Sequence, residues 1–169
     1  MFVDETKRPN LLLTAAALPP QQVASARRVL RGLVLPGQRR LHLVKESPAR
    51  RKQILDAITE LDPTVAVYDA AQHPRRRQRE ACLQALVTDL SATNAARVIL
   101  ELDEVVRDID RNVLYRRVRE TGATDLRYEH LRAHEEPLLA IPDAIAWCWS
   151  RGGAWQARVH ELVDTIRTV

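Results

Sequence analysis

Cysteine is nearly absent from this 169-residue chain: only Cys82 and Cys148 occur, far apart and each inside an apolar helical pattern. They read as small core hydrophobes, not as a disulfide pair or a metal clip. Long hydrophobic runs are lacking too. The longest, LLLTAAAL at 11–18, has about eight residues where a bilayer needs roughly 20, so no membrane span is expected. No basic stretch leads into an apolar core and a cleavage site at the start, which argues against export and makes the cytoplasm the expected location. Low-complexity tracts, internal repeats, a Gly-rich phosphate loop, a nucleophile elbow and a Cys-x-x-Cys pair are all missing. Nucleotide hydrolases of the P-loop type are thereby excluded.

What is present suits one folded domain over residues 1–169: 46% apolar residues, enough for an ordinary core, and 28% charged residues. The net charge is +4, and almost all of the 26 basic residues are arginine, the side chain best shaped for phosphate. Arginines cluster at 27, 28 and 31, at 39 and 40, at 50 and 51 beside Lys52, and most densely in HPRRRQRE at 73–80. Such clusters can track a nucleic-acid backbone; equally, they can be solvated helix faces in an arginine-rich protein.

Strand and helix signals alternate along the chain. FVDE and LLLTAAAL form an expected hairpin over 2–18 with a turn at Pro9-Asn10. A helix follows from Gln21, with Val23, Ala26, Leu30, Leu33 and Val34 on one face, and stops before Pro36-Gly37. RRLHLV at 39–44 reads as a third strand. Ser47-Pro48 starts a helix with a stripe of Ile54, Leu55, Ile58 and Leu61. TVAVYD at 64–69 is a β-branched strand, followed by a helix with Cys82, Leu86 and Leu90 inward. ARVILELD at 96–103 is the clearest strand. A helix through Ile109 and Val113 ends at Gly122, and LRYEHL is a further strand. Pro142 and Asp143 open a late helix that Gly152-Gly153 breaks. The tail keeps helical spacing at Trp155, Val159, Leu162, Val163 and Ile166. An initial hairpin followed by alternating strands and helices predicts an α/β fold with a mixed or mostly parallel sheet.

Acids stand at the ends of these strands: Asp4 and Glu5, Glu46, Asp69 and Asp103, with Asp143 in the first turn of the late helix. Strand ends are where open α/β sheets gather side chains from distant positions. Gathered carboxylates repel by about 4 kcal/mol per pair at 4 Å and an effective dielectric of 20, which a divalent cation relieves. Oxygen-only donors suit Mg2+ or Mn2+, and two such ions can promote phosphodiester cleavage. For any single acid a turn or the helix dipole is sufficient explanation. The Asp4-Glu5 pair is less easily dismissed. Adjacent side chains on a strand point to opposite faces, so one of the two must face the packed or functional side.

VDET at 3–6, HLVKES at 42–47, LELD at 100–103 with Asp110-Arg111, and PLLAIPDAIAWCW at 137–149, in that order, resemble the uncharacterised ribonuclease H-like proteins whose opening motif is Asp-Glu-Ser. The resemblance implies a ribonuclease H-like mixed sheet flanked by helices, with Asp4, Asp103 and Asp143 as metal ligands. The sheet order of that fold, taken with TVAVYD as the strand beside and parallel to the first, favours Asp69 instead, and both middle acids are retained. Three departures stand out. Thr6 replaces the usual serine, the helix at 21–34 separates the second strand from the third, and Pro142 precedes Asp143 where alanine is common.

Other groups carry weaker signals. His130, His134, Glu135 and Glu136 would hold one zinc only on a helix, whereas LRYEHL reads as a strand; a histidine that relays or orients protons beside the acids fits better. His42 is read as structural or on the rim. Trp147, Trp149 and Trp155 can stack bases, although tryptophans in an apolar helix usually fill a core. The leading expectation is a metal-dependent nuclease or phosphodiesterase that acts on nucleic acid through Asp4, Glu46, Asp69 or Asp103, and Asp143, with Mg2+ or Mn2+. The alternatives are a non-catalytic module of the same fold that binds nucleic acid or protein through its arginine faces, and a homodimer joined by the tryptophan-bearing C-terminal helices.

Overall fold

Phe2 and Val3 are adjacent and both buried, yet they belong to different cores. Side chains alternate along a strand, so β1 (Phe2–Thr6) is a central strand covered on both faces. A computed structural model describes residues 1–6, 10–93 and 95–169. Around β1 it sets β2 (Leu12–Ala17), β3 (Thr64–Asp69), β4 (Arg97–Glu101), β5 (Arg127–Leu131) and β6 (Val163–Thr168), in the order β5-β4-β1-β2-β3-β6. The strands β1, β2 and β3 are successively antiparallel, β4 and β5 continue parallel to β1, and β6 lies parallel to β3. The hairpin of β1 and β2 is as expected; its turn at Pro9-Asn10 falls partly outside the described residues.

Helices cover both faces. On one lie α1 (Val23–Gly32), α2 (Pro48–Leu61), α5 (Ala140–Arg151) and α6 (Gly153–Val159), whose Leu30, Leu55, Ile145 and Val159 meet Phe2 and Ile99. On the other lie α3 (Arg75–Ser91) and α4 (Arg107–Thr121), whose Leu83, Leu86 and Leu114 meet Val3, Leu13 and Leu100. Cys82 and Cys148 are buried and unpaired, one in each core, and burial pushes both thiols up to about 12. The end signals act as chemistry requires. The Ser47 hydroxyl accepts from the Arg50 N–H at 3.3 Å with Pro48 in the first turn, and Asp62 closes α2 in the left-handed region at φ 49°.

The structure corrects three expectations. RRLHLV at 39–44 is not a strand: Leu41 and Leu43 are buried and His42 is extended, so the alternation is real, but the segment crosses the α5 face without joining the sheet and ends in a 3-10 turn over Leu43–Lys45. The tail is helical only to Val159. After a 3-10 turn, the β-branched VDTIRT pairs with β3, whose free edge offered backbone partners that a helix there would have left unmet. The third correction concerns the sheet order. TVAVYD is not beside the first strand; β2 lies between them, and the parallel neighbour of β1 is β4. Among the described residues no helix is long and apolar enough to cross a membrane.

Candidate active site

Strand parity aims the first acid pair. Asp4 shares the α5 face with Phe2, and Glu5 shares the α3 face with Val3. The parallel register matches Phe2 with Ile99 and Val3 with Leu100, so Glu101 follows on β4 beside Asp4 and on its face. From above, α5 packs on β1 and β2 and brings Asp143 down from its first turn. Carboxyls from three separate segments thus meet at the C-terminal end of two parallel strands. They line a cavity of about 580 Å3 together with Asp103, His42 and Trp147.

Asp4 is 7% exposed. Burial, then the charge and hydrogen bond of Glu101 and the charge of Asp143, hold its carboxyl well above the usual range. Protein donors engage each acid. Asp4 Oδ1 accepts from the Glu5 N–H at 2.7 Å, Arg40 Nη1 donates to Glu101 Oε1 at 2.6 Å, and the Leu43 N–H donates to Asp143 Oδ2 at 3.1 Å. His42 Nδ1 stands 3.4 Å from Asp143 Oδ1. As placed, no three His, Cys, Asp or Glu side chains among the described residues form a chelating group. A cation would have to draw these carboxylates off their present donors. The donor set is all hard oxygen, with one carboxyl held toward its protonated form by burial and by its neighbouring carboxyls, and oxygen donors of this kind are those that Mg2+ or Mn2+ takes.

Glu5 turns the other way and meets Arg79 of α3 at 2.5 Å. Arg79 also grips Asp110 of α4 through Nε and Nη2 at 2.5 and 2.6 Å, and His130 Nε2 lies 3.2 Å from Asp110 Oδ2. Burial alone would raise the Asp110 carboxyl, but the hydrogen bonds from Arg79 and His130 outweigh it and hold that group below the usual range. The buried chain Glu5–Arg79–Asp110–His130 therefore ties β1, α3, α4 and β5 together beneath the site.

Of the acids singled out in the sequence, Asp4, Asp103 and Asp143 line the cavity, Glu5 borders it while its carboxylate pairs with Arg79, and Glu46 and Asp69 do not line it. Asp103 closes a turn, its Oδ1 accepting from the Val105 N–H at 3.0 Å, and stands at the mouth beyond the end of β4. Glu46 is buried under a second cavity, where Gln38 donates to it at 2.9 Å and Arg50 lies at 3.5 Å. Asp69 sits two strands from Asp4 and caps its own turn through the Ala71 N–H at 2.8 Å. His130 and His134 line no part of the acid cavity. Two acids that line the cavity, Glu101 and Glu104, went unassigned by sequence reasoning. Glu101 was hidden inside LELD, although its parity with Ile99 matches that of Asp4 with Phe2. His42, also in the wall, was read as structural or on the rim, and nothing in LHL marks the approach of Asp143. Trp147 stands in the cavity wall with Arg51 over its ring at 4.5 Å and Trp155 edge-on at 5.3 Å, while Trp149 stacks on His160.

No family model and no curated protein matches the sequence. Among solved structures, the chain superposes with a TM-score of 0.54 and 16% identity on a chain from the PCNA:RNase HII complex of Archaeoglobus fulgidus, covering 96% of this chain and 73% of that one. The likeness is one of fold: this chain has a ribonuclease H-like mixed sheet flanked by helices.

Proposed function

We propose that this chain is a metal-dependent nuclease or phosphodiesterase, a single ribonuclease H-like domain akin to the uncharacterised Asp-Glu-Ser proteins. The observation that carries the reading is the convergence of Asp4, Glu101 and Asp143 in one cavity, with the Asp4 carboxyl pushed up by burial and then by the other two. Perturbed titrating groups in a cleft are where catalytic chemistry is concentrated. Asp4, Glu101 and Asp143 would hold Mg2+ or Mn2+, with Asp103 at the mouth. The metal, when bound, supplies Lewis acidity to the phosphate and lowers the pKa of an attacking water.

The protein's part is to orient. The Leu43 N–H fixes one oxygen of Asp143, leaving the other beside His42. Arg40 holds Glu101, and the Arg79–Asp110 pair anchors Glu5 on the far face so that β1 cannot rotate its acids out of register. His42, at the cavity wall, is placed to take or give a proton to a group bound there. A neighbour of the same fold named RNase HII, together with an arginine-rich surface, makes nucleic acid the favoured substrate class. The test couples two measurements on the full chain: thermal shift with Mn2+ or Mg2+, and cleavage of labelled DNA and RNA. Stabilisation and cleavage that both vanish in Asp4→Asn are expected. A protein that neither gains stability from the cations nor cleaves is a non-catalytic module of this fold.

A further inference from the structure

A second cavity, of about 430 Å3, adjoins the acid site and shares His42 with it. Its chemistry is opposite. Arg39, Arg40 and Lys45 line it with His134, and its single acid, Glu46, is buried and already met by Gln38 and Arg50. Arg40 joins the two cavities, since it lines the basic one while its Nη1 reaches Glu101 in the acid one. Arg39 is exposed and, among the described residues, its side-chain partner is the ring nitrogen of His134 at 3.3 Å. Among the described residues no carboxylate pairs with Arg39 or Lys45. Some arginines here are spent on carboxylates, as Arg27 is on Glu136 and Arg79 on Asp110, while others, such as Arg75, Arg76 and Arg77, have no ion pair among the described residues. What sets Arg39 and Lys45 apart is position: both line the concavity that adjoins the acid site.

We propose that this basic cavity is a phosphate subsite that holds the backbone of a nucleic-acid strand one step along from the phosphate presented to the acids. The substrate class rests on the nuclease reading above; the anion site rests on the cavity alone. Carboxylates by themselves repel a polyanion, so a site built on Asp4, Glu101 and Asp143 needs cationic help to retain its substrate. The adjoining cavity supplies it on the side where His42 borders both and Arg40 reaches across to Glu101. Guanidinium forks match phosphate oxygens bidentately, and an ammonium adds a point charge.

The test is binding of a short labelled single-stranded DNA to the full chain in chelator, so that neither metal nor cleavage enters. Arg39→Ala with Lys45→Ala is expected to weaken binding about tenfold and to lower the log–log salt slope by about one. Arg39→Lys with Lys45→Arg, which keeps the charge, should retain most of the affinity. Arg116→Ala with Arg119→Ala removes the same charge from the exposed face of α4 and should change affinity less than about twofold. Equal losses in the cavity and α4 variants, or no loss in the cavity variant at an unchanged melting temperature, overturn the proposal. Stabilisation by inorganic phosphate without any oligonucleotide binding overturns the nucleic-acid assignment and leaves a site for a small phosphoester. Failure of the nuclease reading shows itself separately, as intact binding in chelator with no cleavage when Mn2+ is added.

Discussion

The Leu43 backbone N–H donates to Asp143 Oδ2 at 3.1 Å across 100 residues of sequence. This bond uses the amide at the end of the LHL stretch, where the chain enters a 3-10 turn, on a helix side chain and not on a neighbouring strand. The same contact aims Asp143 into the cavity. An asparagine at 143 keeps an oxygen to accept this N–H, and an alanine does not. Asp143→Ala should cost about 1–3 kcal/mol and speed hydrogen exchange at the Leu43 amide, while Asp143→Asn leaves both near the wild-type values. Cleavage should be lost in both. Equal exchange rates in the two variants would show that the bond does not hold the segment.

Asp4 predicts an unusual pH dependence in the metal-free protein. Its carboxyl is raised in the folded state by burial, Glu101 and Asp143, so the folded chain holds that proton more tightly than the unfolded chain does. The stability it contributes is whole below the ordinary value of 3.8 and is lost as pH rises from there through the raised folded value. Asp4→Asn removes this loss. Its melting temperature should exceed the wild type's near neutral pH, and the difference should shrink as the solution is acidified. A difference that stays constant with pH would place Asp4 in a solvated, unstrained setting.

Much of the sheet and most helices were legible because their apolar periods are strong and their ends are chemically marked, as at Ser47-Pro48 and Gly122. Less legible were the segments decided by a partner. Val163 and Ile166 are three apart and fit a helix as well as a strand, and only the free edge of β3 settles the matter. The LHL alternation is likewise a true sign of one buried side, without a strand to pair with. One acid of the cavity wall was passed over for a similar reason. Reading Asp103 as the end of its strand passed over Glu101, two residues earlier, because no single sequence displays the register of β1 against β4.

Arg79 is held by two carboxylates, of which Asp110 is fully buried. Asp110→Asn leaves the guanidinium with Glu5 alone and removes the charge that His130 also faces. A loss of about 3–5 kcal/mol in urea unfolding at neutral pH is expected, as for other broken buried pairs. Because the Asp110 carboxyl is depressed, its contribution is present above the ordinary value of 3.8 and disappears as pH falls through the folded value, so the gap between wild type and variant should close in acid. Asp108, whose side chain is 79% exposed beside Arg107, is the control: Asp108→Asn should stay within about 0.5 kcal/mol. Similar losses in the two variants would deny the buried chain its role.

The identity of the middle acid tests fold and function together. Neighbouring strands lie about 4.8 Å apart, so an acid on β4 in register with Asp4 can share a cation with it, and one on β3 stands twice as far away. Glu101 meets this condition and Asp69 does not. At saturating Mn2+, Glu101→Gln should abolish cleavage and the cation-dependent rise in melting temperature together. Asp69→Asn and Glu46→Gln should keep both, since one acid caps a turn and the other lies under the basic cavity. Asp103→Asn preserves the turn that Asp103 closes and should raise the Mn2+ concentration required for cleavage while leaving the saturated rate within about tenfold, the expected behaviour of a carboxylate at the mouth. Loss of cleavage in Asp69→Asn with full activity in Glu101→Gln, both proteins folded, would mean that the working site is not the cavity between β1, β4 and α5. Arg40, which releases its partner in Glu101→Gln, provides the last control: Arg40→Ala should leave the Mn2+ shift in melting temperature in place, because it removes a competing cation and none of the oxygen donors.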